Sequence, residues 1–453
     1  MDLREGNSDT IAAAATALGG AIAVIRISGP GAETVAAQVW RGRRPLGAIP
    51  ARHLEMGEIV DETAAVVDQV LVVRFAAPAS YTGEPMVEFH CHGGSLVVRD
   101  LLRQLFRAGA RPAEPGEFTK RAFLNGKMDL TQAEAVADII AAHSDLALHM
   151  AQRQLDGRFG RQIAALYARA ELLLSELEAR LDFPDEDLAL WEKERLTAEV
   201  DRLAAELRLL LRSRRQGEIL RHGIRLVIAG PPNVGKSSLM NVILGRERAI
   251  VTSVPGTTRD TLEENLSIRG IPICLIDTAG IRDTQDLVER SGVERAEASL
   301  ATADVILWVL DAARPHDGQA WPVPRTTAAT IHVLNKIDLV RNRAPGGIPA
   351  PESTVQTSAL TGEGIESLFG RIEQAVWQRV PREDGVAVNE RHAALLDRAL
   401  QYLVDAREEI AREAWELAAI SVRGTLFETG KITGKSHTPD ILDTIFARFC
   451  IGK

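Results

Sequence analysis

The stretch Gly230-Pro-Pro-Asn-Val-Gly-Lys-Ser237 fits the spacing GxxxxGK[ST]. An apolar run, Arg225-Leu-Val-Ile-Ala229, precedes it and reads as a buried strand; Ser238-Leu-Met-Asn-Val-Ile-Leu244 follows and reads as a helix. Strand, glycine-rich loop and helix is the order that phosphate binding needs. Backbone N–H groups of the loop, through Asn233, Val234 and Gly235 to Ser238, surround phosphate oxygens at a helix N-terminus. Lys236 reaches the terminal phosphates, and the Ser237 hydroxyl can hold Mg2+. A bare match of this kind is often accidental. Here three further elements follow in order: Asp277, Thr278, Ala279 and Gly280; Asn335, Lys336, Ile337 and Asp338; then Ser358, Ala359 and Leu360. Each ends or follows an apolar strand-like run, which makes nucleotide binding the expectation over a plain glycine turn.

The Asn335–Asp338 element identifies the base. The Asp338 carboxylate can accept two hydrogen bonds from the N1–H and exocyclic amine edge of guanine. Adenine has an acceptor at N1 and no amine beside it, so it would leave that carboxylate unpaired, a mismatch that discriminates by orders of magnitude. Lys336 would pack its stem over the base plane, and Ser358-Ala359 would approach the guanine oxygen through a backbone N–H. The nucleotide is therefore GTP.

These elements need a scaffold, and the pattern along the chain supplies one. The 453 residues are 45% hydrophobic and 25% charged, an ordinary globular composition with room for two or three domains. The net charge of −9 argues against broad, sequence-independent nucleic-acid binding and leaves a local basic patch open. No apolar run is long enough for a bilayer, and the N-terminus lacks the pattern of a secretory signal, so no membrane association is expected. Cys91, Cys274 and Cys450 are odd in number and far apart, which suits a reducing cytoplasm.

Residues 1–120 carry short strand-like runs (Ala21–Ile27, Val70–Phe75, Met86–His90) and a helical run from Ser95 to Ala108, a compact α+β domain. Residues 121–216 place Leu172, Leu173, Leu177 and Leu181, then Leu203, Leu207, Leu210 and Leu211, at helical spacing. Phe183-Pro-Asp-Glu-Asp187 divides them into two long antiparallel helices. Residues 217–378 alternate strands and helices and hold every nucleotide element. Residues 379–453 return to helix, with Ala393 to Ala419 the longest run and a last helix capped by Thr438 with Pro439 in its first turn. The expected architecture is a multidomain α/β chain: a P-loop Ras-like GTPase domain at 217–378, inserted into a helical domain of 121–216 and 379–453, preceded by the α+β domain. The Pro/Gly-rich stretch 342–351 reads as a surface connection.

Ras-type GTPases orient the attacking water with a Gln directly after Asp-x-x-Gly. Here that position is Ile281, which cannot orient water. Two readings of Asn233 follow. Its amide oxygen could ligate a monovalent cation beside the β- and γ-phosphates, doing the electrostatic work of an arginine finger. Alternatively it tolerates a tight backbone turn.

Asn233 in its loop, Gly256-Thr-Thr-Arg-Asp260, the inserted GTPase and the terminal Phe449-Cys-Ile-Gly-Lys453 together resemble the tRNA modification GTPase MnmE (TrmE) family. Ser80-Tyr-Thr-Gly-Glu84, His92-Gly-Gly94, Gly116–Asn125 and Asp129-Leu-Thr-Gln-Ala-Glu134 extend the likeness over essentially the whole chain. The resemblance implies a folate-binding and dimerisation role for residues 1–120. It also implies a homodimer, joined by the FAD-containing partner MnmG in a heterotetramer. Such an assembly attaches an aminomethyl or carboxymethylaminomethyl group to carbon five of the wobble uridine of certain tRNAs, with the carbon drawn from a tetrahydrofolate. The implied GTP-contacting segment adds Thr252, Ser253, Val254, Pro255, Gly256, Thr257 and Thr258. The implied K+ ligands are Asn233, Thr252, Val254 and Thr257, the Mg2+ ligands Ser237 and Thr258, and the general base Glu289. Implied folate contacts are Arg26, Glu88, Lys127 and Lys453. Arg26 and Lys453 are at opposite ends of the chain, so the C-terminal helix must fold back, either within one subunit or across a dimer, and the resemblance implies the latter. Two positions depart from the family pattern. Thr16-Ala-Leu-Gly-Gly20 stands where Pro-x-Gly-x-Gly is usual, and Lys435 stands where an acidic residue is usual.

Other features carry less chemistry. His90-Cys91-His92 alternates on a strand and has no second ligand cluster, so packing or a ligand pocket is expected rather than zinc. Cys450 reads as a buried helix-end cysteine, with a thiol nucleophile as the alternative. Arg41–Arg44 and Arg212–Arg215 read as solvated charges. A switch GTPase acting on RNA or the ribosome without modification chemistry would share the nucleotide motifs, but it leaves residues 1–120 and Phe449–Lys453 unexplained.

Overall fold

The computed structural model describes residues 9–142, 144–182, 191–247, 263–277, 299–313, 326–340, 354–378, 388–447 and 449–453. Two compact units result: residues 1–137, 155–168 and 426–453 form one, and residues 138–154 and 169–425 form the other. The divider 183–187 and the stretch 342–351 lie outside the described residues.

The first unit is built on a seven-stranded sheet. Its strands are β1 Ile11–Ala14, β2 Ile22–Ser28, β3 Trp40–Gly42, β4 Glu55–Val60, β5 Val66–Phe75, β6 Met86–His92 and β7 Arg111–Pro112, in the order β3-β4-β5-β6-β2-β1-β7. Alternation in β2 and β6 sends Ala23, Ile25, Ile27, Val87, Phe89 and Cys91 into a core shared with the helices Ala32–Val39 and Ser95–Arg107. The intervening residues, Arg26, Glu88, His90 and His92 among them, occupy the other face. This alternation separates Cys91 from its flanking histidines. Burial, with the Asp68 charge, pushes the Cys91 thiol up to about 11, while His92 Nδ1 pairs with Asp68 at 2.7 Å.

The C-terminus belongs to this same unit. Leu442, Ile445, Phe446 and Phe449 pack against Leu130, Ala133 and Phe123. Beyond them Ile451 bridges Pro115, and the Gly116 N–H donates to the Cys450 carbonyl. Gly452 has φ +97°, and a Cβ there would lie 2.0 Å from the Ala14 carbonyl oxygen. The tail thus reaches the N-terminal sheet within its own chain. Cys450 is exposed rather than buried, because its backbone, not its side chain, faces Gly116. Thr438 occupies the N-cap position before Pro439, but its side chain makes no capping hydrogen bond.

The second unit holds a six-stranded sheet of β8 Ile224–Ala229, β9 Glu263–Ile268, β10 Ile271–Asp277, β11 Val305–Asp311, β12 Ala329–Asn335 and β13 Val355–Gln356. The order is β13-β12-β11-β8-β10-β9, parallel except for β9 on the edge. Strands buried on both faces read as continuous apolar runs, as Val305–Leu310 does. The same unit contains the helices Lys193–Arg212 and Glu390–Ala411, packed through Leu196, Leu203, Leu207, Leu396, Ala399 and Leu403. Lys193 donates to the Ala411 carbonyl and Asp201 pairs with Arg407, so the helices are antiparallel. The expected run from Ala393 to Ala419 is broken after Ala411. Glu413 takes φ +61°, the Glu413 N–H bonds to Ile410 and the Ala414 N–H to Glu409. That is a Schellman closure with Glu where Gly is usual, so no glycine announced it. Among the described residues, no helix is long and apolar enough to cross a membrane.

One buried cation organises the first unit. Arg121, 1% exposed, donates to Asp9 Oδ1 at 2.7 Å and Glu84 Oε2 at 3.1 Å, with Glu117 Oε1 at 3.5 Å. Burial alone would raise the carboxyls of Asp9 and Glu117. Hydrogen bonds from Arg111 and the nearby Arg121 charge outweigh it and hold both below their ordinary values. Carboxyls depressed in the folded state add stability above their unfolded pKa values and lose it as pH falls through the folded ones. Hydrogen exchange of β1 and β2 should therefore be flat with pH above about 5 and accelerate, once corrected for intrinsic rates, below the ordinary Glu value of 4.5. Arg121→Met leaves those carboxylates without their buried cation. It should lower the opening free energy of these strands by about 3–5 kcal/mol at neutral pH; protection equal to wild type would refute this role.

Candidate functional site

The nucleotide elements converge at the C-terminal ends of the parallel strands. Register pairs Asp277 with Ile228 and Asp311 with Asn335. The central strand β8 has β10 on one side and β11 on the other. The chain leaves β8 at this switch point, where open parallel sheets present their ligand crevice. The loop after β8 enters the helix Lys236–Glu247. Asn233 holds the left-handed conformation at φ +63°, which Asn tolerates better than most residues. Gly235, at φ +94°, has no room for a side chain: a Cβ would lie 2.4 Å from Asn335 Nδ2. The loop is therefore bare backbone around a helix N-terminus, which suits phosphate oxygens. Lys236 Nζ donates to the Gly230 and Pro231 carbonyls at 3.0 and 2.8 Å, and so stays over the loop. Ser237 and Ser238 follow in the exposed first turn.

Asn335 is buried at 1% exposure. Its Nδ2 donates to the Val234 carbonyl at 2.9 Å, and its Oδ1 accepts from the Ala359 N–H at 3.0 Å. It ties the loop after β8 to the loop after β13. Lys336, at φ +67°, donates from Nζ to the Asn233 carbonyl and to Asp311 Oδ2, both at 2.7 Å. Asp338 Oδ1 accepts from Ser358 Oγ at 2.5 Å, and the same Oγ accepts from the Thr361 N–H. That leaves Asp338 a carboxylate fixed in orientation beside Ala359, while Ile337 is half-buried and Leu360 is exposed.

Asp311 was missed in the sequence. It is 4% exposed, at the last position of β11, and its second oxygen accepts from the Ala313 N–H. The available signal was an acid closing an otherwise apolar strand. Asp277 closes β10 at the same sheet end. Thr252, Ser253, Val254, Pro255, Gly256, Thr257, Thr258, Thr278, Ala279, Gly280, Ile281 and Glu289 lie outside the described residues, so Asn233 and Ser237 represent the cation-related positions here.

The first unit contains a second cluster. Arg26 and Glu88 are cross-strand partners on β2 and β6, with Arg26 Nε 2.8 Å from Glu88 Oε1. Arg26 also donates to the Gly452 carbonyl at 3.5 Å, directly before Lys453. The rings of Tyr81 and Phe118 lie 5.3 and 5.6 Å from its guanidinium. Lys127 donates to the Pro78 carbonyl at 2.9 Å and packs its stem at Gly83. The segment Ser80–Glu84 thus joins Lys127 to Arg26, since Tyr81 meets one and Gly83 the other. Tyr81 and Phe118 were not singled out as site residues in the sequence; their proximity depends on three separate elements meeting. In the altered turn, Thr16 Oγ1 accepts from the Val24 N–H at 3.0 Å and closes the β1–β2 connection. Lys435 Nζ sits 4.1 Å from the centre of the Tyr167 ring. Among the described residues, no cluster of three His, Cys, Asp or Glu side chains could hold a metal ion.

The family described as MnmE helical domain matches residues 130–450, and the one described as GTP-binding protein TrmE N-terminus matches residues 10–127. A tRNA modification GTPase MnmE from Akkermansia muciniphila is 46% identical over 449 residues, covering 98% of this chain and 99% of its own. Proteins of the same description from Syntrophotalea carbinolica and Geobacter sulfurreducens are each 43% identical. They cover 99% and 98% of this chain and 100% and 99% of their own.

Two substitutions test the nucleotide geometry. Asp311→Ala removes the carboxylate that fixes Lys336 and should weaken guanine-nucleotide binding about tenfold; titration with a fluorescent nucleotide reads this, and unchanged affinity would remove Asp311 from the site. Asp338→Asn exchanges an acceptor for an amide whose donor suits xanthine. It should weaken GTP binding by at least about a hundredfold and improve binding of xanthosine triphosphate. Retained preference for GTP would mean that Asp338 does not read the base.

Proposed function

Because this chain belongs to the MnmE family of tRNA modification GTPases, we propose that it is a K+-dependent GTPase driving modification of the tRNA wobble uridine. The observation that carries the GTPase reading is the tie that Asn335 makes at one sheet end. It bonds the loop that holds Lys236, through the Val234 carbonyl, to the Ala359 N–H, next to the Ser358 hydroxyl that holds Asp338.

In this reading, backbone N–H groups of Asn233–Ser237 and the Lys236 ammonium take up charge on the β- and γ-phosphates as water attacks the γ-phosphorus. Ser237 and Thr258 would hold Mg2+, which neutralises phosphate charge. Asn233, Thr252, Val254 and Thr257 would hold K+, which supplies the positive charge that an arginine finger gives elsewhere. Asn233 fits that duty because Lys336 occupies its carbonyl while the residue itself is exposed. Glu289 orients the attacking water in place of the glutamine that Ile281 replaces.

Arg26, Glu88, Lys127 and Lys453 would hold a tetrahydrofolate, the source of the one-carbon unit. Cations suit its glutamate tail, and a carboxylate suits its pterin amine. Arg26 is held between Glu88 and the tail carbonyl, so the cluster is charged, part-buried and fixed in place. The cytoplasm, a homodimer, an FAD-containing MnmG-type partner and tRNA complete the reading. So does a division into 1–120, 121–216 with 379–453, and 217–378. The insertion is supported by the Val388 N–H donating to Ser213 Oγ at 3.4 Å, since the chain leaves and rejoins the helical pair at neighbouring points.

GTP turnover should rise strongly in K+ and Rb+ and stay low in Na+, and Asn233→Ala should abolish that response. Equal rates in K+ and Na+ would discard the cation role. Nucleoside analysis of tRNA from a deletion strain tests the pathway. An intact wobble modification would favour the switch-GTPase alternative.

A further inference from the structure

Glu88 has two carboxylate oxygens in different situations. Oε1 accepts from Arg26 Nε at 2.8 Å. Oε2 faces His90 Nε2 at 3.8 Å, too far for a hydrogen bond between them. His90 stands two residues along β6, on the same sheet face as Glu88, and register sets it between Val24 of β2 and Leu71 of β5. Its Nε2 is buried and has no hydrogen-bond partner. A buried ring nitrogen without a partner is costly, and the cost vanishes when a ligand supplies one.

The pair therefore presents an acceptor and a ring nitrogen side by side, a few ångströms apart, on a rigid strand. A cyclic amide offers the complement: an N–H next to a C=O. Two parallel hydrogen bonds would form, the ligand N–H to Glu88 Oε2 and His90 Nε2–H to the ligand carbonyl. Arg26 holds the far oxygen of Glu88 and keeps the carboxylate plane from turning. We propose that His90 is a further binding residue of the folate site and reads the pyrimidinone carbonyl of the pterin while Glu88 reads the neighbouring N–H. This rests on the folate reading above and adds the residue that would orient the ring.

The test is calorimetric titration of 5-formyltetrahydrofolate into the full chain and into His90→Leu, His90→Asn, His90→Gln and Arg26→Ala, with thermal midpoints measured beside it. A glutamine amide nitrogen reaches the position of Nε2, whereas that of asparagine reaches only the position of Nδ1. His90→Leu and His90→Asn should weaken binding about tenfold to a hundredfold, as for a buried group left unpaired. His90→Gln should restore most of the affinity, with unchanged thermal midpoints throughout. If His90→Leu disrupts folding, the comparison of Gln with Asn decides. Wild-type affinity in His90→Leu, beside lost binding in Arg26→Ala, would overturn the role of His90 and leave the folate site standing. Equal loss in His90→Gln and His90→Leu would overturn it as well. A wild-type chain that does not bind the folate would remove the folate reading itself, and this proposal with it.

Discussion

Asn335 uses both ends of one buried amide, Nδ2 on the Val234 carbonyl and Oδ1 on the Ala359 N–H. Those two bonds join segments more than a hundred residues apart in sequence, the loop after β8 and the loop after β13. A short side chain at the end of β12 keeps their separation constant. The glycine at 235 follows from the same constraint, since a Cβ there would collide with this amide. Lys336 adds a second tie through the Asn233 carbonyl, and the buried Asp311 holds Lys336. Three adjacent polar groups thus replace the rigidity that an apolar contact would supply elsewhere. They can do so because each is satisfied by a specific partner, with Asn335 and Asp311 themselves buried.

The N-terminal unit solves a different problem. Its sheet has one apolar face covered by two helices, and the other face carries charges on the central strands β2 and β6. Arg26 would be poorly placed alone in the middle of such a face. Glu88 across the strand pair, two aromatic rings and the tail carbonyl of Gly452 hold it. The last residues are part of this arrangement because Phe446 and Phe449 anchor the preceding helix and Gly452 passes within backbone contact of Ala14. The chain end is therefore a structural component of the Arg26 cluster, positioned by the packing of Leu442, Ile445, Phe446 and Phe449 just before it.

Local chemistry was legible wherever a short segment carries its own geometry. The phosphate loop, the Asn335–Asp338 element and the strands and helix flanking them follow from spacing and apolar runs alone, because each motif is bounded by its own strand and turn. Features that depend on distant partners were not legible. Asp311 looks like any acid at a strand end until β11 lies beside β12. Tyr81 and Phe118 acquire a role only when β2 brings Arg26 between them. The helix ending at Ala411 closes with a left-handed Glu413, and a glycine-based signal could not reveal it.

The residues by themselves determined the nucleotide class, which depends on side-chain type and short-range spacing; the charged groups proposed for a folate were implied by the family resemblance and not by spacing. Tertiary structure decided which of those groups meet. It brought the chain end to Arg26 within one subunit, paired Glu88 with one oxygen toward Arg26 and the other toward His90, and turned Asn335 inward as a strut. The physical reason is that period-two alternation says which residues share a face, whereas strand order and register say which strands are neighbours. That second kind of information comes from long-range packing, which no local pattern encodes.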